Sequence, residues 1–372
     1  MNGIPIAPVD PFGFPASIGF ILFFKVLGFT LHLIPMNIWY AGLPLSAVLA
    51  VFAKGETRTI AKRLAITMPI MVAVGVNLGI VPLLFTQSIY NETYYTSGIL
   101  MGWYWFSVVF LLLFAYYGVY IYELQLRTEH PKTIGYVAGW VSAILFIIMG
   151  FLFANNFSLM VNSGAWLDIF HKTTVAGAVK GTGLNTGDAG MWARWLMMFG
   201  IAMTTTGVWI AVDGAWFGKK YGENYRKKAA HFGFVFYTLG AVVAAIFAYW
   251  YVFGTIPKDV LQKAHGWVQI VMILTAASFV VTWLLFLIFR NALNTGKAVV
   301  LAISQFLVLA FNAVSRQWVQ YEEIEKIVPL ARTPVHWQWS SAIPFLILFV
   351  IGLAVLLWII TRPALAKATP EA

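Results

Sequence analysis

The sequence predicts an all-α protein: a polytopic integral membrane bundle of nine transmembrane helices, with the whole chain, 1–372, forming one membrane domain. Three observations predict it. The chain is 60% hydrophobic and only 10% charged, where a soluble domain carries about 25% charged residues. Its apolar residues are gathered into nine long runs. Lysine and arginine are dense in every second connecting loop and sparse in the others.

The runs lie near 16–45, 64–87, 98–122, 134–157, 195–217, 232–254, 266–289, 298–315 and 341–360. Most exceed the roughly 18–20 apolar residues that cross a bilayer. Lipid offers the backbone no hydrogen bonds, so spans of this length are helices. The first carries Lys25 and His32, with Pro35 and Pro44 in its second half. The second contains Pro69, and the third opens on Trp103 and Trp105. The fourth ends in Phe153-Ala154-Asn155-Asn156 and leads into the longest connector, 158–194. There Trp166, Ile169 and Phe170 stand beside Asp168, His171 and Lys172, which predicts a short amphipathic helix on the membrane surface. Five glycines from Gly177 to Gly190 follow. They lack the Gly-Lys-Ser/Thr ending of a phosphate loop and are read as a flexible connector. The fifth span holds Asp213 near its end, with Lys219 or Lys220 as the expected partner. The sixth, seventh and eighth carry no charge. Between the eighth and ninth, Glu322, Glu323 and Glu325 make either a solvated helix face or a patch for a basic partner.

The charge distribution sets an expected orientation. Of 24 lysines and arginines, 15 fall in the loops at 53–63, 123–133, 218–231 and 290–297 and the tail from 361. The opposite side holds 8, and Lys25 lies within a span. The positive-inside rule puts the richer side in the cytoplasm and the N-terminus outside, in a cell (inner) membrane. The net charge of +10 is therefore an anchoring signal spread over short loops, not a nucleic-acid surface. The first 15 residues contain four prolines and no basic residue, unlike a cleavable signal peptide, so the first span is expected to start insertion. Aromatics, 17% of the chain, gather at span ends as interfacial belts do. Cysteine is absent. That excludes disulfides, iron–sulfur clusters and covalently attached c-type haem.

Few side chains inside the spans carry chemistry. His32, midway along the first, is costly in lipid without a partner, so it is either hydrogen-bonded to a neighbouring span or an axial ligand to haem iron. Lys25, seven residues earlier, is expected on roughly the same face; it either pairs there or extends its amine to the interface. Asp213 is a candidate for proton relay or a simple ion pair. Met197, Met198 and Met272 are packing residues or thioether ligands.

The order of these features resembles subunit I of the cytochrome bd quinol oxidases. The likeness rests on His32 followed by Gly42-Leu43, and on Gly75-Val76-Asn77-Leu78-Gly79 followed by Phe85-Thr86-Gln87 and a tyrosine-rich loop. Asn155-Asn156, Ser315-Arg316-Gln317-Trp318 and Arg332-Thr333 complete it. The resemblance spans nearly the whole chain and implies nine spans with an outside N-terminus. It implies that His32 binds iron of a haem b and that Arg316, Gln317 and Trp318 border a cofactor, with Arg316 just outside the eighth span. Met198 stands near the family's histidine ligand on the fifth span, and Met272 near its methionine ligand on the seventh. The departures are equally specific. The two proton-path glutamates of the family's third span fall near Val108 and Tyr116, and another falls near Ala313. The quinol-binding loop is reduced to Thr255–His265.

The expectation is a divergent bd-like membrane subunit of a respiratory electron-transfer complex, a possible oxidoreductase subunit holding one or two b-type haems, with dioxygen reduction disfavoured. Gly28, Gly75 and Gly79 are the small residues expected to make room for a porphyrin. A second integral membrane subunit, a c-type cytochrome at the outer face and the lipid bilayer are the expected partners. The alternatives are a haem-free scaffold or anchor and, less favoured, a transporter, whose broken helices Pro35, Pro44 and Pro69 would supply.

Overall fold

The computed structural model describes Ala7 and residues 10–365, with side chains described through Val355 and at Leu357 and Trp358. Among the described residues, eight helices are long and apolar enough to cross a membrane. They are α1 (Ile18–Phe52), α2 (Gly55–Ile89), α4 (Gly102–Arg127), α5 (Thr133–Val161), α7 (Ala189–Trp216), α8 (Gly222–Trp250), α10 (Trp267–Phe289) and α11 (Thr295–Glu325). Three shorter helices lie between them: α3 (Asn91–Leu100), α6 (Trp166–Thr173) and α9 (Lys258–Gln262). The ninth expected span falls on α12 (Trp339–Leu365), whose described apolar part, Trp339–Val355, is shorter than the other eight.

The long helices overrun the apolar runs. Only Ala53 and Lys54 separate α1 from α2, and Gly55 turns the chain with a φ of +56°, a region open to glycine at no steric cost. Arg58, Lys62 and Arg63, expected in a loop, therefore ride on the first turns of α2. The prolines do not interrupt their spans: α1 continues through Pro35 and Pro44, and α2 through Pro69 and Pro82. Packed neighbours in a bundle make good the backbone bonds that proline removes.

The chain folds as successive helical hairpins, α1–α2, α4–α5, α7–α8 and α10–α11. α1 also packs on α5, α7 and α11, so it runs through the middle of the bundle. α7 is the most enclosed helix, with 67% of its apolar stretch buried, against 11% for α4 and α10. Small residues set the α7–α8 seam. A Cβ on Gly207 would lie 2.6 Å from the Gly233 carbonyl oxygen, and one on Gly240 would lie 2.6 Å from Met203 Cβ. Such backbone contact is how helices gain dispersion energy where lipid supplies no hydrophobic drive.

The connector after α5 is more ordered than its glycines suggest. The amphipathic helix exists as α6, but its apolar face is turned to protein: Trp166 is 1% exposed, and its indole N–H donates to the Leu159 carbonyl at 2.7 Å. A two-strand hairpin follows, β1 (Thr174–Val175) with β2 (Ala178–Val179). The Trp103 amide then donates to the Gly181 carbonyl and the Gly183 amide to the Leu100 carbonyl, both at 2.9 Å. These bonds pin the segment to the start of α4, so it is not a free linker.

Candidate functional site

Polar side chains enter the bundle at three levels around α1. At the level of the α1–α2 turn, Arg63 of α2 forms a two-bond ion pair with Asp213 of α7, Nε to Oδ2 at 2.9 Å. Lys219 and Lys220 are thus not the partners of Asp213. They follow it closely in sequence, but α2 packs beside the end of α7 and brings in a cation 150 positions away.

At the middle level, the Asn37 amide and the Gln305 amide each donate to the Thr205 hydroxyl at 3.0 Å, and Thr205 donates to the Ile201 carbonyl. His32 lies on the α2 side. Its Nδ1 is 2.7 Å from the Gly75 carbonyl oxygen. A carbonyl only accepts, so Nδ1 carries the proton and Nε2 has its lone pair free. Nε2 has no hydrogen-bond partner among the described residues, and the imidazole is only part-buried.

The level nearest the β1–β2 hairpin is cationic. Lys25 is 7% exposed; its amine donates to the side-chain carbonyls of Gln317 and Gln320, the latter at 2.7 Å, and lies 4.7 Å from the Tyr90 ring centroid. Gln317 in turn donates to the Tyr90 hydroxyl at 2.6 Å. Lys25 therefore neither extends to the interface nor meets a carboxylate. Arg316 is well inside α11, which runs on to Glu325, rather than just beyond a span. Its guanidinium sits over Phe29 at 4.4 Å and Phe157 at 5.1 Å. Arg194, 9% exposed, faces the Tyr251 ring at 5.9 Å. Neither arginine forms an ion pair among the described residues. They are close enough to repel each other, and the charge of Arg316 also reaches His32 and Lys25.

The fold separates the candidates that sequence placed together. Gln317 serves Lys25, Arg316 faces aromatic rings, and Trp318 packs in an apolar cluster that also holds Met198 and Met272. Both methionines pack against that cluster of aliphatic and aromatic side chains, which also takes in Phe29 and Leu33 of α1. The three glycines do not make room for a porphyrin. A Cβ on Gly75 would lie 2.1 Å from the Trp39 ring, one on Gly79 2.9 Å from His32 itself, and one on Gly28 2.9 Å from Val81. They let α1 and α2 close on each other and seat the two aromatic rings. Sequence reading missed Arg63 and Arg194 as bundle residues, because both were assigned to loops. An apolar chain with so few carboxylates inside it was the available signal, since every buried cation then needs a separate explanation.

The glutamates after the eighth span are not an open acidic face. Glu322 pairs with Lys263 at 2.7 Å and Asp259 with Lys326 at 2.5 Å, which ties α9 to the end of α11. Outside the spans these pairs set the electrostatics: hydrogen bonding to Lys326 holds the Asp259 carboxyl below its ordinary range, and Glu322 holds the Lys263 amine above its own. Glu323 turns inward, and its Oε2 is buried without a hydrogen-bond partner.

Compared with known proteins, the chain matches no family model, and no curated protein matches it in sequence.

Proposed function

We propose that this chain is an integral subunit of a respiratory electron-transfer complex, divergent from but related to subunit I of the cytochrome bd oxidases, with His32 as the protein ligand of one b-type haem. The observation that carries this reading is the state of the imidazole. Nδ1–H is anchored on the Gly75 carbonyl and Nε2 is left free, the arrangement of a metal-ligating histidine oriented by a second group. The donors match the group, with one neutral imidazole nitrogen and with Arg316, which forms no ion pair among the described residues, as a cation suited to a carboxylate side arm, whereas the space beside His32 at Gly75 and Gly79 is filled. A bound haem would supply one-electron redox chemistry. The chain's own part is to hold the Nδ1 proton on Gly75 and to present positive charge toward the hairpin end.

Nine spans, an outside N-terminus and a cytoplasmic C-terminus in the cell membrane complete the proposal, with a second integral subunit and a c-type cytochrome at the outer face as partners. Quinol-driven oxygen reduction is not expected of this subunit, since its third long helix, α4, has Val108 and Tyr116 where the family carries acids. A haem-free scaffold is the second reading, favoured by the filled spaces at Gly28, Gly75 and Gly79.

One experiment separates them: an optical spectrum of the purified, dithionite-reduced protein, with and without His32→Ala. A b-type α-band that weakens in the variant, while the protein still inserts, supports ligation. An absent band, or one that His32→Ala leaves intact, assigns His32 to the α1–α2 packing and the chain to the scaffold class.

A further inference from the structure

Among the described residues, α2 has a second face that neither the bundle nor His32 uses. In its membrane stretch the exposed side chains are Ile70, Asn77, Ile80 and Leu84, with Ala73 part-exposed between them. Their spacing, three then four and again three then four, is the heptad seam of a helix that packs lengthwise against another helix. The stripe covers about 21 Å at 1.5 Å per residue. It points away from Gly75 and Gly79, which face α1.

Asn77 is the residue that sets this stripe apart from an ordinary lipid-facing one. It lies near the middle of the expected 64–87 span. One of its amide hydrogens is donated to the Ala73 carbonyl of its own helix, at 2.8 Å. Its side-chain carbonyl oxygen has no partner among the described residues, and the side chain is exposed. Hydrocarbon cannot satisfy that oxygen, and an unmet amide in an apolar medium is costly. Among the described residues Asn77 also ties no other element in place, since the bond it makes there is to its own helix.

We propose that this face is the seam of a parallel homodimer, with α2 of one copy against α2 of a second and the two Asn77 amides bonded to each other. The argument for a second copy is geometric. Copies inserted in the same orientation can be related only by an axis along the membrane normal. That symmetry puts each Asn77 at the same depth as its mate. A carboxamide is both donor and acceptor, so two of them satisfy each other with no further residue required. A single Asn in an apolar heptad seam also fixes register, because any slip leaves both amides unmet in hydrocarbon. This inference does not depend on haem binding at His32.

The chain has no cysteine, so one introduced thiol can form an interchain disulfide only with its own copy in a homodimer. Ala73→Cys and Ile80→Cys, both retaining Asn77, are oxidised in native membranes beside Val280→Cys, which lies exposed on α10. The expected result is a dimer of the chain's own mass from positions 73 and 80 and none from 280. Adding Asn77→Leu should weaken dimerisation about tenfold while leaving the monomer's melting temperature unchanged; Asn77→Gln should preserve the dimer. No cross-link at either position overturns the proposal. So does equal cross-linking at 280, indifference to Asn77→Leu, or a product that contains a different polypeptide, which would make this face the site of a distinct subunit.

Discussion

Arg63 and Arg316 are both arginines enclosed by the bundle, at opposite ends of it, and they are handled in opposite ways. Arg63 meets Asp213 in a two-bond ion pair from which water is largely excluded, with side chains 13% and 5% exposed. Arg316 meets the faces of Phe29 and Phe157, has Arg194 and Tyr251 nearby, and forms no ion pair among the described residues. A paired charge in a low-dielectric interior is complete, whereas an unpaired one marks a place where a counter-charge is still to be supplied. The difference assigns Arg63 to holding the fold; Arg316 forms no ion pair among the described residues, which is what the cofactor role proposed for it above requires, while Arg194 has the Glu323 carboxylate nearby.

The sharpest way to break that comparison is to remove one partner of the closed pair. Arg63→Ala leaves Asp213 buried without its cation and should cost about 3–5 kcal/mol, read as a large fall in melting temperature in detergent. The double variant Arg63→Met with Asp213→Leu removes both charges and should recover most of that loss. Equal melting of the single variant and the wild type would remove the distinction between the two arginines.

Lys25→Met comes next. It leaves the Gln317 and Gln320 carbonyls without their donor, worth about 1–3 kcal/mol in the same thermal assay. Gln317 also bonds Tyr90, so the Tyr90→Phe variant should lose less than Lys25→Met.

Arg316→Ala should cost the fold little, about 1 kcal/mol, because it gives up contacts with two rings and relieves repulsion from Arg194. If the protein carries haem, the same variant should lower its reduction potential, since a positive charge near the haem favours the electron-rich form. A large loss of stability with no change in potential would show that Arg316 is structural, like Arg63.

The smallest effect lies outside the spans. Asp259 titrates below its usual range because of Lys326. Its contribution is present above the unfolded carboxyl's pKa, about 3.9, and is lost as pH falls through the depressed folded value. Lys263 is raised by Glu322, so its contribution is present below the unfolded amine's pKa, about 10.4, and is lost as pH rises through the folded value. Limited proteolysis of 255–265 should therefore be slowest between these limits and quicken modestly at either extreme.

Much of the architecture was legible in advance. The apolar runs at 16–45 and 195–217 locate α1 and α7, because a run long enough to cross lipid has only the helix available. The amphipathic stretch at 166–173 was legible as a helix for the same kind of reason, a periodicity local to a few turns. The destination of its apolar face was not: Trp166 packs on protein, not lipid, and only the neighbouring helices decide which. His32 was legible as a residue that needs a partner, but the carbonyl it found, Gly75, lies 43 positions away.

The sequence by itself determined that this protein is a helical membrane bundle, which loops are basic, and which few polar side chains would have to be explained. Those follow from composition and from periodicities of a few residues, where lipid leaves the backbone no alternative. Tertiary structure alone decided the pairings: Asp213 with Arg63 and not the nearby Lys219 or Lys220, Lys25 with Gln317 and Gln320, and Arg316 with aromatic rings in place of an acid. Each depends on which helix lies beside which. That is settled by small-residue seams such as Gly207–Gly233, whose contacts join parts of the chain that local pattern does not connect.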